Sequence, residues 1–262
     1  MLKNTTIEAM LARKSIRKYT SQDPTDEIIT TIVRAGQQAP FASQLGSILL
    51  SRHREKHPFN APLLFTICVD AHKWELIMEQ RNWKMVADDL MLLIMGMQDA
   101  ALMAENMVIA ADSIGMGSCF LGAAPFRAQK IIEQYNLPSR VFPMVQLAMG
   151  YPAEDPPTRP RYPLEFVLFE DRYPEFSGPE IREAMERMDQ GFLEQDYYLN
   201  LNAMIELTAE RQETFSYQDY SWTEHICRKW GQQYFPNTLI KQIEICGFNL
   251  MNNRETTHND TQ

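Results

Sequence analysis

Four basic side chains lie within six residues near the start of the chain, in the segment RKSIRK at residues 13–18. Guanidinium groups, ammonium groups and a hydroxyl are the groups that bind a phosphate dianion in proteins. The whole chain carries a formal net charge of -9, so this concentration of positive charge stands out. The segment is either an anion-binding site or the solvated C-terminal end of a helix, whose dipole favours cations.

A second pair of cations, Arg159 and Arg161, lies in residues 151–163, of which five are proline. Proline fixes the backbone, so this segment is neither regular helix nor central strand, and an extended arm presents its arginines at little entropic cost. The arm is either an exposed linker or a second set of phosphate ligands. Together, the two basic segments could converge on one phosphate from opposite sides.

Two further segments could line a ligand site. The segment GMGSCFLGA at residues 115–123 lacks the spacing of a dinucleotide-binding fingerprint or a P-loop. Its glycines nevertheless expose backbone N–H groups and leave room for a flat ligand, although a helix end followed by a loop would look the same. The segment APFASQ at residues 39–44 is a tight loop with two side chains able to form hydrogen bonds.

No set of catalytic side chains is recognisable. The chain has no Ser/His/Asp or Cys/His arrangement that suggests a nucleophile, and the pair Asp88 and Asp89 fits the polar side of a helix. His53 and His57 have no third ligand nearby, so we predict no metal site. The absence of side-chain chemistry fits a protein whose reaction is carried out by a bound cofactor.

The composition narrows the class of protein. The 262 residues can bury a sizeable core. Lys and Arg number 25 against 34 Asp and Glu, which argues against broad nucleic-acid binding and against an anionic membrane surface as partner. The apolar stretch at residues 86–111 is interrupted by acids and amides, so we expect no membrane span. Four cysteines without a CxxC pair indicate reduced thiols and a cytoplasmic protein without a signal peptide.

The apolar periodicity predicts a mixed chain with few strands and one long helix. Thr5 or Thr6 can cap a first helix, and a second helix begins around residues 24–27 and ends near Gly36. We predict helices at residues 86–114 and 125–135, a helical region from 179 onward, and strands at residues 47–51, 63–69, 144–149 and 166–169. The predicted domains are a core at residues 1–178 and a helical extension at 179–262, packed on the core or on a partner subunit.

Taken in order, these segments resemble the FMN-dependent nitroreductase family, and within it the NADPH-using, oxygen-insensitive nitroreductases and flavin reductases. RKSIRKYT at residues 13–20 is similar to the phosphate motif of the family, and APFASQ to its Ala-Pro loop. ADSIGMGSCFLGA at 111–123 resembles its glycine turn, and MGYPAEDPPTRPRYP at 149–163 resembles its proline-rich arm. SWTEHI and QIEICGFNL resemble its C-terminal helices, so the likeness covers nearly the whole chain.

The resemblance implies an α+β fold, in which helices cover a mainly antiparallel sheet, and an intertwined homodimer with FMN at both subunit interfaces. The phosphate would be held from two segments of the chain, the ring would face a backbone segment, and a loop of the partner subunit would complete the pocket. The residues implied are Arg13, Lys14, Ser15 and Arg17 with Arg159 and Arg161 for the phosphate, Leu121, Gly122 and Ala123 for the ring, and Pro40, Phe41, Ala42 and Gln44 from the partner.

The implied activity is that of an oxidoreductase. NADPH or NADH would pass hydride to flavin N5, and a nitroaromatic, a quinone or a flavin would then accept it. Phe41, Ala42, Gln44 and Ala123 depart from the residues common in the family, which affects the ring pocket and the acceptor more than FMN binding. Reductive dehalogenation and a non-catalytic flavin-binding sensor or scaffold are the alternatives. Arg211 and Arg228 are candidates for binding the 2′-phosphate of NADPH.

Overall fold

The structure, a computed structural model, describes residues 2–208, 211–232 and 238–250. These residues fall into two compact units, one within Met1–Pro156 and Asn237–Gln262 and the other within Pro157–Pro236. The predicted division at residue 178 differs from this one. The first unit ends earlier, inside the proline-rich arm, and it regains the last described helix because that helix packs against the helical segment at residues 124–135.

A four-stranded sheet forms the centre of the first unit. Its strands are β1 Gly46–Ser51, β2 Leu63–Asp70, β3 Gly117–Leu121 and β4 Val141–Gly150, in the order β1-β2-β4-β3. All three neighbouring pairs are antiparallel, which confirms the mainly antiparallel sheet. The predicted strands at 47–51, 63–69 and 144–149 are confirmed, and β3 is a strand where the sequence indicated a turn.

Six helices surround the sheet in the described part of the first unit: five precede β4 in the chain, and the last, α9 Thr238–Ile245, returns to this unit near the C-terminus. Polar side chains begin three of them: Asn4 accepts from the backbone N–H of Ile7, Thr25 from Ile28 and Asp88 from Met91. Asn4, and not Thr5 or Thr6, therefore caps the first helix. The first four helices are α1 Thr5–Ala12, α2 Asp26–Gln37, α3 His72–Gln80 and α4 Asp89–Ser113. Helix α5, Ala128–Tyr135, follows a 3-10 turn at Ala124–Arg127.

Helix α4 lies across one face of the sheet. Phe65, Ile67, Leu147 and Met149 from the sheet share a buried cluster with the second half of α4. Gly96 lets the helix approach β2 closely, because a Cβ there would collide with the side chain of Val69. By length and composition alone α4 could cross a membrane, but here it is the core helix of the first unit.

The second unit consists of helices and irregular segments packed around aromatic side chains. Its helices are α6 Gly178–Leu193, α7 Tyr197–Leu201 and α8 Trp222–Gln232, and α9 Thr238–Ile245 belongs to the first unit. A buried cluster joins Phe192 of α6, Tyr198 of α7 and Tyr220. The predicted strand at residues 166–169 is wrong: Leu164–Phe166 is a 3-10 turn, and Phe166 packs on Phe176 with ring centroids 4.6 Å apart.

Candidate functional site

The basic segment at residues 13–18 runs along the free edge of β3. Helix α1 ends at Ala12, and the backbone N–H of Ile16 donates to the carbonyl oxygen of Ser118 at 2.8 Å. Ser15 forms a parallel β-bridge with Ser118, and Tyr19 forms an antiparallel β-bridge with Pro152. The segment is therefore extended sheet edge and not a solvated helix end, which favours the anion-binding interpretation.

Two polar side chains at this edge have no partner among the described residues. The Nη1 atom of Arg13 and the hydroxyl of Ser118 are both buried and unpaired. Buried polar groups in proteins are nearly always hydrogen-bonded, so an unpaired buried guanidinium nitrogen indicates a missing acceptor. A phosphate oxygen is such an acceptor. The site therefore fits the phosphate group of the implied cofactor.

Acidic side chains of the same chain already occupy part of this edge. One carboxylate oxygen of Glu154 accepts from the backbone N–H groups of Arg17 at 2.5 Å and Lys18 at 3.0 Å. Asp155 forms an ion pair with the ammonium group of Lys14. No described residue forms an ion pair with the exposed guanidinium of Arg17. Arg13 and Arg17 therefore have guanidinium nitrogens available to an anion, whereas Lys14 must first leave Asp155.

The backbone beyond β3 is open. Leu121 is the last residue of the strand and lies opposite Gln146 of β4. A Cβ added at Gly122 would meet no heavy atom within 4 Å, so a flat ligand can approach this backbone. Gly122 is four positions after Ser118, which is about 13 Å along an extended strand. One extended ligand could therefore contact both the basic segment and the backbone at residues 121–123.

A buried carboxylate on α4 shapes the loop at residues 39–45. Asp99 is 3% exposed, and its two oxygens accept from the backbone N–H groups of Ala42 at 2.7 Å, Ser43 at 3.3 Å and Leu45 at 2.9 Å. Gln44, within this loop, has a left-handed backbone with φ of 51°. Three hydrogen bonds to one charged group are strong enough to fix this loop.

Helix α3 holds the same loop from the other side. The indole N–H of Trp74 donates to the carbonyl oxygen of Ser43 at 2.6 Å. The ammonium group of Lys73 donates to the carbonyl oxygen of Gly46, the first residue of β1, at 2.6 Å. Sequence reasoning assigned no role to residues 73–84 and took the acids of α4 as a polar stripe. The one signal in the sequence that could have indicated how the loop is held was the acidic residue Asp99 among the apolar residues of a long helix.

The loop contacts the middle of α4, and the basic segment lies near its C-terminal end. The loop is bonded to Asp99, whereas Lys14 and Ile16 line one cavity with Asp112. Asp99 and Asp112 are 13 residues apart on the helix, which is about 20 Å at 1.5 Å per residue. The loop and the basic segment therefore contact α4 at positions that are well separated along the helix.

The arginines of the arm belong to the second unit and have partners there. The Arg159 guanidinium donates to the side-chain oxygen of Gln195 at 2.5 Å and lies over the ring of Tyr197, 4.1 Å from its centroid. Arg161 donates to the carbonyl oxygens of Arg159 and Pro160, both at 2.9 Å. The convergence of these two arginines with the basic segment stays a prediction.

Arg228 is not available to the 2′-phosphate of NADPH, so that assignment is wrong. It is 3% exposed, and its guanidinium donates to both carboxylate oxygens of Glu213 at 2.7 Å and to Glu224 at 2.7 Å. These hydrogen bonds lower the pKa of Glu213 to about 2. Arg228 therefore stabilises the second unit, and the role of the exposed Arg211 stays a prediction.

Comparison with known proteins identifies the family. The model of the nitroreductase family matches residues 10–57 and 50–151, which include the basic segment, the loop at 39–45 and the backbone at 121–123. This chain belongs to the nitroreductase family. Arg159 and Arg161 lie outside the matched residues, so the family match says nothing about them.

Individual relatives in the nitroreductase family match most of the chain. The FMN reductase (NADPH) of Bacillus subtilis (strain 168) is 30% identical over 94% of this chain and 99% of its own. The NADPH-flavin oxidoreductase of Vibrio harveyi is 29% identical over 80% of this chain and 89% of its own. The solved structure of the NfrA1 nitroreductase from B. subtilis superposes with a TM-score of 0.78 at 26% identity, over 94% of this chain and 99% of that one. These matches support the nitroreductase fold.

The first prediction concerns the loop at residues 39–45. Replacement Asp99→Asn should make the amide protons of Ala42, Ser43 and Leu45 exchange faster, because the amide side chain has one acceptor oxygen and no charge. The loss should lower the free energy of unfolding by about 2 kcal/mol. Hydrogen exchange by mass spectrometry and chemical denaturation measure the two effects.

The matched control is Glu105→Gln, which removes an exposed carboxylate from the same helix. This variant should leave both measurements unchanged. Equal exchange rates at the loop amides of the Asp99→Asn and Glu105→Gln variants would show that Asp99 does not hold the loop.

Proposed function

We propose that this nitroreductase-family protein is an NAD(P)H-dependent flavin oxidoreductase that binds FMN. The observation that carries the proposal is the buried, unpaired guanidinium nitrogen of Arg13 on the basic sheet edge, together with the open backbone after β3. The names of the relatives, an FMN reductase and a flavin oxidoreductase, support the same cofactor. FMN, when bound, supplies the hydride transfer between a nicotinamide donor and an acceptor.

The basic edge serves to hold the phosphate group of FMN. Arg13 and Arg17 donate from guanidinium groups, and Ser15 adds a hydroxyl from the residue that bridges β3. Lys14 joins them when it leaves Asp155. We assign Arg159 and Arg161 to the same phosphate on the family resemblance.

The backbone that follows β3 would hold the ring of FMN. Leu121, Gly122 and Ala123 present N–H groups and no large side chain at Gly122, so the ring can approach closely. Backbone donors fixed at the end of a strand stabilise negative charge on the ring without reorganisation. Residues 121–123 thus orient the ring and favour its reduced form.

The loop at residues 40–44 completes the ring pocket of a second subunit. In its own chain, this loop contacts Asp99, about 20 Å along α4 from Asp112, which lines a cavity with residues of the basic edge. Phe41 is 53% exposed on a loop that Asp99 holds fixed, so it offers an aromatic surface next to Pro40, Ala42 and Gln44. An aromatic surface at the pocket favours flat aromatic acceptors such as nitroaromatics, quinones or flavins.

A homodimer accounts for the exposed apolar face of α4. Large apolar side chains lie exposed on one side of this helix, and isolated chains seldom leave such a face open to water. These side chains are Leu90, Met91, Ile94, Met97 and Leu102. We place the dimer in the cytoplasm, because Cys68, Cys119 and Cys246 are buried as free thiols.

Reduction of the purified protein tests the function directly. The protein should be yellow, and its flavin absorbance should bleach when NADPH or NADH is added without oxygen. Reoxidation by a panel of nitroaromatic, quinone and flavin acceptors then identifies the acceptor class. A yellow protein that neither nucleotide reduces would leave flavin binding intact but reject the oxidoreductase activity, and a protein that takes up no FMN would reject both.

The basic edge is tested by Arg17→Ala. Loss of one guanidinium–phosphate interaction should raise the Kd for FMN by about tenfold to a hundredfold. Fluorescence quenching of FMN measures this constant. The control Arg34→Ala removes an exposed cation from α2 and should bind FMN as the unchanged protein does. An Arg17→Ala protein that purifies fully loaded with flavin would contradict the assignment.

The dimer is tested by Ile94→Glu. A charge in the middle of the exposed face of α4 should convert the dimer to a monomer, because an unpaired carboxylate is costly to bury. Sedimentation equilibrium measures the mass, and the monomer should also lose flavin. The control Arg34→Glu places the same charge at an exposed position on α2 and should stay dimeric. A dimeric Ile94→Glu protein would place the interface elsewhere.

A further inference from the structure

A large cavity lies on the face of the sheet opposite α4. Side chains alternate along β2, so Phe65 and Ile67 face the core cluster under α4 and Leu64 faces the other way. Leu64 and Gln146 form part of the floor of the cavity, and α5 forms one wall. Its volume is about 810 Å³. Pockets of this size bind small molecules and cofactors.

The lining of this cavity is basic. Four cationic side chains line it, and no acidic side chain does: Arg52, Lys56, Arg127 and Lys130. Arg52 is paired with Asp26 at 2.5 Å. No described residue forms an ion pair or a side-chain hydrogen bond with the other three cations. Uncompensated positive charge around one cavity is unexpected in a chain of net charge -9, and it favours an anionic ligand.

One hydroxyl in the lining lacks a partner. The oxygen of Tyr135 is buried and has no hydrogen-bond partner among the described residues. The neighbouring polar groups are satisfied: the hydroxyl of Ser51 lies 2.7 Å from Nε2 of His57, and Gln146 donates to Thr66 at 2.8 Å. The Tyr135 hydroxyl therefore needs an acceptor that the described residues do not supply.

His57 adds no positive charge to the cavity. Its Nδ1 lies 2.8 Å from the carbonyl oxygen of Ala61, so Nδ1 carries the proton and Nε2 accepts from Ser51. Burial lowers the pKa of His57, which favours the same neutral form. The lysines and arginines of the lining carry their positive charge at neutral pH.

We propose that this cavity binds an organic phosphate with at least two negative charges. Arg127 and Lys130 contact the phosphate oxygens together with Lys56, and the Tyr135 hydroxyl donates to one of them. Guanidinium groups match the geometry of phosphate oxygens, which favours a phosphate over a monocarboxylate. Apolar side chains in the lining, such as Ile131, contact the uncharged part of the ligand. None of the residues in the FMN proposal lines this cavity.

The test uses the protein loaded with FMN and pyrophosphate as the probe, titrated by calorimetry at constant ionic strength. The double replacement Arg127→Gln with Lys130→Gln should weaken pyrophosphate binding by at least about tenfold, because two charged donors are lost. Tyr135→Phe should weaken it by about threefold, because one neutral donor is lost. The control is Arg34→Gln with Lys84→Gln, two exposed cations outside the cavity.

Three outcomes would overturn the proposal: equal affinity in the cavity and control variants, no binding to the unchanged protein, or release of flavin in step with pyrophosphate binding. If the cavity variant loses pyrophosphate affinity, the KM for NADPH identifies the source of the phosphate. A raised KM assigns the cavity to the donor nucleotide, and an unchanged KM assigns it to a separate organic phosphate. Since pyrophosphate binding needs no turnover, this test stands apart from the test of the oxidoreductase activity.

Discussion

The close packing of α4 on the sheet is the constraint on which the first unit depends. Gly96 brings the helix onto β2, and the apolar side chains of both elements form the core. Once the helix is fixed there, the carboxylate of Asp99 meets the loop at residues 39–45, and Asp112 lies beside the basic edge. The two candidate halves of the ligand site therefore take their positions from one rigid helix.

Local sequence patterns were sufficient to predict most of the helices and strands and to single out the basic segment at residues 13–18. Apolar periodicity and capping residues predicted α2, α4 and three strands, because these elements bury one face or a continuous run. The concentration of charge at residues 13–18 indicated either an anion site or a solvated helix end, and the family resemblance favoured the anion site and supplied the cofactor. β3 was missed because only five residues form it and a glycine begins it, so the signal of a turn was the stronger one.

The features that the sequence did not predict depend on contacts between residues far apart in the chain. Asp99 reaches amides 54 to 57 residues away, and Trp74 reaches a carbonyl 31 residues away, which no local pattern encodes. The predicted strand at 166–169 was wrong because Phe166 and Phe169 both pack on the ring of Phe176 and not in a sheet. Arg228 was misread for a similar reason, since Glu213 lies 15 residues away in sequence.

The distance along α4 has a consequence for how such a protein would work at different concentrations. If each flavin site takes its basic edge from one chain and its ring pocket from another, a separated chain has no complete site. Retention of the cofactor would then follow mass action, and specific activity would fall on dilution below the dimer dissociation constant. Newly made chains would be colourless and inactive until they met, so assembly itself would switch the enzyme on.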